Sequence, residues 1–333
     1  MNNEKITLAH GAGGRISQNL MREIILPAFD NPILNEMHDG AKINKKLAFT
    51  TDSYTVKPIF FVGGNIGKLS ICGTVNDLAM TGAVPKFLSA ALIIEEGFLM
   101  SDLKKIVHSM RVAADEAGVK IVTGDTKVVS KGQCEGIFIN TAGIGELIDG
   151  VNISPQNVKP GMKILINGCL GDHAAAILAS RHDINLPDSI KSDCAPLSDL
   201  VIKMLKASPD IAVLRDPTRG GLAAVLNEIA AASNVDIIID EESLPIKPEV
   251  KGICDILGFD VLELANEGKV VAFVPAESAD KLLSMMKSHK YGVDAAVIGQ
   301  VVDSHNGKVG LRTSIGSVRM VDMPLGNLVP RIC

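Results

Sequence analysis

The chain has 333 residues, more than one hydrophobic core usually organises and enough for two domains. Hydrophobic residues make up 47% of it and charged residues 21%, so we expect a packed globular protein rather than a disordered one. A net charge of −5 and scarce aromatic residues argue against nucleic acid as a partner, because such surfaces are basic and stack bases on aromatic rings. An apolar signal segment and an apolar run of membrane-spanning length are both missing, so a membrane location is not expected.

The first half of the chain alternates strand-like and helix-like segments, as an α/β domain does. Residues 46–52, "KLAFTTD", are typical of a strand, and residues 67–80, "GKLSICGTVNDLAM", of a buried helix. A second helix is predicted over 101–118, with Ser101 as its N-terminal cap and Gly118 at its end. Its expected apolar stripe consists of Leu103, Ile106, Val107 and Met110. Two strands, "VKIVTGD" and "CEGIFINTAGIGE", follow.

A proline-rich seam at 154–161, "SPQNVKPG", predicts a boundary between two domains. We expect an N-terminal domain over 1–155, a C-terminal α/β domain over 156–320 and a flexible tail over 321–333. In the second domain "GGLAAVLNEIAAAS" predicts a helix with the apolar face Leu222, Val225, Leu226 and Ile229. Its other predicted elements are the strands "MKILING", "IAVLRD", "VDIIID" and "KVVAFV", the helix "DHAAAILASR", a helix near 277–289, and strands near 294–302 and 308–313.

Asp77 is the most informative charge, because it is the only charged residue between Lys68 and Lys86. On a helix it shares a face with Ser70 and Gly73, small residues that allow another group to approach. A buried carboxylate is costly unless it is paired, protonated or bound to a metal. Metal or ligand binding is one interpretation, and a solvated helix turn or a pairing with a distant arginine is the other.

Three further aspartates, Asp52, Asp125 and Asp216, each follow an apolar strand-like run. Ligands of α/β folds gather at the carboxyl ends of strands, and hard oxygen ligands suit Mg²⁺ that also binds substrate phosphates. The pattern predicts a magnesium site made of these three residues and Asp77. Each aspartate alone is equally typical of a turn or a cap.

Two glycine-rich stretches are candidates for holding a phosphate. "HGAGGR", which contains Gly13 and Gly14, and "DPTRGG" both precede a helix-like segment, whose free N–H groups favour an anion. The stretch "GGNIGKLS" fails the P-loop pattern, because Val62 stands at the first glycine position and Leu69 at the Ser/Thr position. Any nucleotide site therefore has another architecture.

His173 and Glu267 are candidates for proton transfer, the first at the start of a predicted helix and the second just before a strand. Each is also compatible with a plain helix start or turn. The six cysteines have no metal-binding spacing and favour reduced thiols in the cytoplasm. Cys333 is the last residue of the sequence, where a thiol is unusual and accessible.

The chain resembles the HypE family of hydrogenase maturation proteins in the ordered segments "HGAGG", "TDSYTVKPIFFVGGNIGKLSICGTVNDLAMTGA", "IVTGDTKVV", "DPTRGGL", "NEGKVV" and "PRIC". The similarity extends along essentially the whole chain. It implies membership of the ATP-binding superfamily of aminoimidazole ribonucleotide synthetase and selenophosphate synthetase, with a PurM-like α/β fold. A four-stranded N-terminal domain is then expected to pair with its copy, so that a homodimer closes a β-barrel and binds ATP at the interface.

The resemblance also implies a reaction. The partner HypF would transfer a carbamoyl group to Cys333, and the chain would use ATP to dehydrate this thiocarboxamide to a thiocyanate. The cyanide would pass to iron held by the HypC–HypD complex, for the active site of a nickel–iron hydrogenase. Arg331 is expected to offset the terminal carboxylate, which otherwise opposes formation of the thiolate.

The residues found above are expected to divide this work. Glu267 and His173 are candidates for the base, Cys333 carries the substrate, and Lys127 is expected to contact a phosphate. The predicted metal ligands are Asp52, Asp77, Asp125 and Asp216. The predicted nucleotide contacts are Gly13, Gly14, Asp52, Asn76, Asp77, Asp125 and Lys127.

Two alternatives remain at this point. Another enzyme of the superfamily, such as selenophosphate synthetase, would normally have a reactive cysteine near the N-terminus, whereas the first one here is Cys72 in a buried-looking helix. A nucleotide-dependent scaffold would present Cys333 to partners without turnover. The sequence also leaves open whether the tail rests inside or outside the ATP site.

Overall fold

The computed structural model describes residues 5–182, 184, 187, 189–326, 329 and 331–333. The predicted tail over 321–333 therefore lies partly outside the described residues, including Pro330 of the "PRIC" segment. Within the part of the chain that is described, no helix is both long and apolar enough to cross a membrane.

In the N-terminal half, one helix packs against a sheet and a second helix packs on the first. Its elements are α1 (Arg15–Leu20), a π-helical turn (Met21–Ile25), α2 (Leu26–Phe29), β1 (Ala41–Lys42), β2 (Leu47–Tyr54), β3 (Phe60–Phe61), β4 (Gly64–Asn65), α3 (Ile66–Met80), β5 (Ala83–Glu95), α4 (Met100–Ala117), β6 (Lys120–Val129) and β7 (Ile137–Leu147). The two packed helices are α3 and α4, respectively. The strand order is β1-β2-β7-β5-β6, with β3 and β4 paired separately. Four long strands agree with the expected four-stranded domain, and the two-residue β1 adds a fifth at one edge.

β6 is an open edge of this sheet. Among the described residues it pairs only with β5, in parallel, and its residues from Lys120 to Val128 are all exposed. The exposed side chains include Ile121, Val122 and Val128. An apolar edge strand of this length offers unpaired main-chain groups to another chain.

The C-terminal half packs helices around a second sheet. Its elements are β8 (Lys163–Ile166), α5 (Asp172–Arg181), α6 (Ser198–Ala207), β9 (Val213–Arg215), α7 (Gly221–Ser233), β10 (Asp236–Asp240), α8 (Pro248–Leu257), β11 (Val271–Val274), α9 (Ala276–Lys287), β12 (Ala296–Val302), β13 (Val309–Arg312) and β14 (Val318–Met320). The strand order is β14-β13-β10-β12-β8-β11-β9. The predicted boundary at residue 155 falls in the connection between β7 and β8.

The predicted helix at 67–80 is confirmed as α3, which is buried along almost its whole length. Asn65 caps it by accepting hydrogen bonds from the N–H groups of Gly67 and Lys68. A Cβ on Gly73 would lie 2.2 Å from the hydroxyl oxygen of Tyr54, so this glycine allows the tyrosine to approach the face that carries Asp77.

The helix predicted over 101–118 differs at its start. α4 begins at Met100 after the extended Leu99, so Ser101 is not its cap. Gly118 ends it in the left-handed conformation, as expected. Ile106 and Met110 are buried, but Val107 is 47% exposed, so α4, which packs mainly on α3, buries a narrower face than the apolar stripe suggested.

The first segment of the chain packs on the C-terminal half rather than on the N-terminal sheet. The Arg15 N–H donates to the Pro324 carbonyl at 2.8 Å, and the Gln18 amide donates to Glu228 at 3.0 Å. The domain description over 1–155 did not anticipate this contact. It brings the segment beside the tail and beside the loop that follows β9.

Candidate active site

Four aspartates from separate elements form an acidic group where the two halves meet. This carboxylate cluster consists of Asp39, Asp52, Asp77 and Asp216, which come from the segment before β1, from β2, from α3 and from the end of β9. Burial raises the pKa of Asp77 well above its ordinary value, and the charges of the other three raise this pKa further. The Thr50 hydroxyl donates a hydrogen bond to Asp77 at 2.9 Å, which lowers the pKa of Asp77 and so partly offsets these effects.

Arg215 supplies positive charge beside the cluster. Its Nε lies 2.9 Å from Asp39 Oδ1, and a terminal nitrogen lies 2.7 Å from Glu228 Oε2. The second oxygen of Asp39 is buried without a hydrogen-bond partner among the described residues. Burial also raises the pKa of Asp216 to about 6. The raised pKa values of Asp77 and Asp216 indicate that Arg215 does not offset the charge that four ionised carboxylates would have.

The last three residues of the chain are docked in a groove between the two halves. Two main-chain hydrogen bonds hold them, from Thr55 N–H to the Cys333 carbonyl at 3.0 Å and from Lys57 N–H to the Arg331 carbonyl at 3.2 Å. We call this the tail groove and define it by the residues that bind the docked segment, namely Thr55, Lys57, Glu135, His173 and Arg181. The tail, expected to be flexible, therefore rests inside the protein at its described end.

The docked Cys333 thiol lies among charged groups. Burial raises its pKa, and the negative charges of Glu267, Asp52 and Asp216 raise it further. The positive charge of Arg219 lowers the pKa of Cys333. Cys333 is in turn the largest influence that raises the pKa of Arg219. The docked thiol is therefore held protonated.

Glu267 is a buried acid next to the docked cysteine. Its side chain is 3% exposed, and its Oε1 has no hydrogen-bond partner in the described part of the chain. Burial raises its pKa well above the ordinary value. Its position is set by the main chain, because the Glu267 N–H donates to Asp193 at 3.0 Å and Asp193 pairs with Lys269 at 2.8 Å.

His173 contacts the docked segment directly. Its Nε2 lies 2.7 Å from the Ile332 carbonyl, and its Nδ1 lies 2.8 Å from the Ser192 hydroxyl. Burial lowers the pKa of His173, which favours the neutral ring. Nε2–H then donates to the carbonyl and Nδ1 accepts from the hydroxyl, so the histidine positions the tail. Its predicted role as a base remains a prediction.

Comparison with known proteins agrees with this arrangement. Residues 37–147 match the model of the AIR synthase related protein N-terminal domain, and residues 159–312 match that of the C-terminal domain. Over 341 residues the chain is 47% identical to carbamoyl dehydratase HypE of Rhodobacter capsulatus, covering 100% of this chain and 99% of that protein. The chain is a member of the HypE family of carbamoyl dehydratases.

Solved HypE structures have the same fold. The chain superposes on the structure described as a HypE–HypF complex with a TM-score of 0.88 and 53% identity, covering 92% of this chain and 99% of that one. A HypE structure in complex with ATP gives a TM-score of 0.84 and 45% identity, covering 99% and 100%. The predicted family and PurM-like α/β fold are confirmed, and the family is one of enzymes.

Asp125 and Lys127 lie apart from the cluster. Both are exposed on β6, where their side chains pair with each other at 2.8 Å. Lys127 lowers the pKa of Asp125, and the cluster aspartates do not contribute to this shift. One chain alone therefore does not bring these two residues to Asp52, Asp77 and Asp216 as the sequence predicted.

Three other predicted nucleotide contacts have structural partners in this chain. The Asn76 amide bonds the main chain of Ala195, Leu197 and Glu267, so it fastens α3 to the loop that carries the acid. A Cβ on Gly13 would lie 2.7 Å from the Arg219 carbonyl oxygen, and one on Gly14 would lie 2.3 Å from the Pro324 carbonyl oxygen. These glycines allow close packing beside the tail, and their nucleotide contact remains a prediction.

Sequence reasoning missed the arginine that faces the thiol. Arg331 is expected from the sequence to offset the terminal carboxylate, but its side chain donates to the Thr55 carbonyl and pairs with Glu135. The charge that lowers the pKa of the Cys333 thiol is that of Arg219. Arg219 lies in the quoted "DPTRGG" segment, whose charge was the available signal. Asp39 was also missed, because it does not follow an apolar strand-like run, the pattern by which Asp52 and Asp216 were selected.

Proposed function

We propose that the protein catalyses ATP-dependent dehydration of a carbamoyl group on Cys333 to a thiocyanate, which supplies cyanide for the nickel–iron site of a hydrogenase. The observation that carries this proposal is the docked Cys333: the Thr55 N–H holds its carbonyl, and the charges of Arg219, Glu267, Asp52 and Asp216 act on its thiol. The HypE family membership supports the reaction type.

The proposed reaction has two steps. The carbamoyl oxygen attacks the γ-phosphate of ATP, so ADP leaves, and the nitrogen loses one proton to a base. The phosphorylated intermediate then loses its second N–H proton as phosphate departs with the former carbamoyl oxygen. In sum, the thiocarboxamide and ATP give the thiocyanate, ADP and phosphate. ATP is needed because phosphorylation turns the carbamoyl oxygen, a poor leaving group, into a good one.

Glu267 is the proposed base. It is buried near the cysteine and has an oxygen without a hydrogen-bond partner, as an acceptor of a substrate proton requires. Its raised pKa makes its carboxylate form a stronger base than an ordinary glutamate. Arg219 is proposed to offset negative charge that develops near the thiocarboxamide.

The carboxylate cluster fits a magnesium ion. Mg²⁺ takes oxygen ligands and is commonly bound by one or two carboxylates together with substrate phosphates. The unpartnered oxygen of Asp39 and the mutual repulsion that raises the pKa of Asp77 both fit a cation, although in the described residues no three acidic, His or Cys side chains converge as a complete metal site. One or two of the cluster carboxylates would hold Mg²⁺ together with the phosphates, and the ion would neutralise phosphate charge.

We further propose a homodimer in which Asp125 and Lys127 act on the nucleotide bound by the other subunit. The open apolar edge of β6, which carries both residues, supports this arrangement. Mixing Asp77→Asn with Asp125→Asn protein tests it, because a mixed dimer would have one site with both aspartates intact. Random mixing should restore about a quarter of the wild-type activity. No recovery in dimers that have exchanged subunits would exclude a shared site.

The tail is proposed to leave the groove to meet its partners. The docked thiol is a poor nucleophile because its pKa is raised, so we place carbamoyl transfer from HypF, and delivery to HypC–HypD, in an undocked state. The solved HypE–HypF complex supports HypF as a partner. The chemistry needs a reduced thiol, in keeping with the predicted cytoplasmic location.

The direct test uses protein whose Cys333 has been carbamoylated, analysed by mass spectrometry of the C-terminal peptide. Only in the presence of Mg·ATP should the peptide lose the mass of one water, and Cys333→Ala protein should show no such product. ATP binding without this loss would favour the scaffold alternative. Modification at Cys72 is not expected, because its side chain is fully buried.

A further inference from the structure

The groove recognises the last three residues through several independent contacts. The two main-chain bonds run between Thr55 and Cys333 and between Lys57 and Arg331, in the order of antiparallel strands. A third carbonyl, that of Ile332, accepts from His173. Peptides that add to exposed main chain in this way obtain affinity from the backbone and specificity from side-chain pockets.

Arg331 is the charged determinant of the docked segment. Its guanidinium forms an ion pair with Glu135, donates from Nε to the Thr55 carbonyl at 2.8 Å and lies 5.5 Å from the ring centre of Phe138. Its own carbonyl accepts from Arg181 at 2.7 Å. The loop that carries Glu135 is braced by Glu95, which accepts from two main-chain N–H groups of that loop.

Arg331 is also held in an unfavourable conformation. Its φ is +52°, in the left-handed region that non-glycine residues rarely adopt. Such a backbone persists only where the surroundings fix it. The contacts of the arginine side chain and carbonyl therefore define the shape of the docked segment as well as its charge.

Ile332 is the apolar determinant. It is 4% exposed and belongs to the hydrophobic cluster that includes Leu264 and Ala265, with Phe259 packed against it. The groove thus recognises the charge of Arg331 and the apolar side chain of Ile332, and it fixes the position of Cys333. Each of these contacts is made by residues 331–333 themselves.

We propose that the tail groove is a sequence-specific receptor for peptides ending in Arg-Ile-Cys, and that it binds and processes such a peptide supplied as a separate molecule. The second half of this statement rests on the proposed function. The step is the same as for the protein's own tail: a peptide thiocarboxamide and ATP give a peptide thiocyanate, ADP and phosphate. The oxygen leaves on phosphate and the nitrogen loses both protons.

Binding is tested with full-length protein whose own tail is removed from the groove by Ile332→Asp and Cys333→Ala. The probe is a fluorescent peptide of residues 324–333 in which Cys333→Ser prevents oxidation, and the readout is fluorescence anisotropy. We expect saturable binding, and at least about tenfold weaker binding of the Arg331→Glu peptide, since an ion pair and a bond to a main-chain carbonyl are lost. Introducing Glu135→Arg into the protein should reverse the preference between the two peptides. Comparing both peptides on both proteins is a double-mutant cycle, in which any effect of the peptide substitution on backbone strain cancels.

Turnover is tested with the same peptide bearing a carbamoyl group on its cysteine, made by reaction with cyanate. With Mg·ATP the tail-cleared protein should convert it to the thiocyanate, and the Arg331→Glu peptide should show a raised KM with little change in kcat. Wild-type protein with its own carbamoylated tail is assayed in parallel.

The parallel assay separates the two claims. If the wild-type tail is dehydrated but the peptide neither binds nor reacts, or if both peptides bind equally, the receptor proposal is wrong and the proposed function stands. If the peptide binds with the expected preference but the wild-type tail is not dehydrated, the receptor stands and the proposed function fails. Binding without turnover beside an active wild-type tail would overturn processing in trans.

Discussion

The carboxylate cluster and the tail groove lie side by side but are held together by opposite means. In the cluster, burial and like charges raise the pKa of Asp77 and Asp216, so ionisation at neutral pH costs folding free energy. In the groove, main-chain hydrogen bonds and the buried Ile332 stabilise the docked segment. The cluster is suited to binding a cation and phosphates, whereas the groove is already complementary to its peptide.

Replacing the base should have the largest effect. Glu267→Gln should lower the dehydration rate by about 10²- to 10⁴-fold, because an amide cannot accept the proton. In the wild type the rate should increase with pH, since the raised pKa of Glu267 leaves less carboxylate at low pH, and the variant should lose this increase. The exposed Glu277→Gln is the matched control, and its rate should not change. A normal rate in Glu267→Gln would place the base elsewhere.

Removing one charge from the cluster should separate activity from stability. Asp77→Asn should abolish most Mg·ATP turnover but leave the Tm without Mg²⁺ equal to or higher than that of the wild type. A carboxyl whose pKa is raised on folding stabilises the protein below its unfolded pKa, and this stabilisation is lost as pH rises through the folded pKa.

The pH dependence of the Tm makes this test quantitative. Without Mg²⁺ the wild-type Tm should fall as pH rises from about 4 through 6, where Asp216 also titrates, and Asp77→Asn should flatten the slope. Thermal scans across this range measure it. A Tm that is lower in the variant at every pH would mean that the Asp77 carboxyl is a structural partner in both of its protonation states.

Weakening the groove should have a smaller effect. His173→Leu removes the donor to the Ile332 carbonyl, and loss of one hydrogen bond of about 1 kcal/mol predicts a rate reduction of roughly three- to tenfold. His173→Gln retains a donor and should recover part of this loss. If His173 were the base, both variants would be equally inactive, and single-turnover rates on carbamoylated protein distinguish the two cases.

The sequence predicted the cluster better than the groove, for a physical reason. Asp52, Asp77 and Asp216 can be found from the sequence alone, because each is a charged residue within or directly after an apolar segment. The groove joins Thr55, Glu135 and His173 to the last residues, and contacts between such distant segments depend on packing of the whole chain. The same limit applies to Arg219, which only the fold brings to the thiol.

Secondary structure shows the same division. The burial of α3 was predicted from its nearly uncharged segment and the apolar face of α7 from periodicity. The predicted cap of α4 was wrong, because the helix begins at Met100, directly after Leu99. The separation of Asp125 from the cluster was also not foreseen, because following a strand does not determine which edge of the sheet that strand occupies.

The most direct test of the account follows the carbamoyl oxygen. Cys333 is carbamoylated with ¹⁸O-labelled cyanate, Mg·ATP is added, and the inorganic phosphate is analysed by mass spectrometry as the thiocyanate forms. The account predicts one ¹⁸O atom in each phosphate for each thiocyanate, since the oxygen leaves with the transferred phosphoryl group. Unlabelled phosphate, with the label released into water, would contradict it.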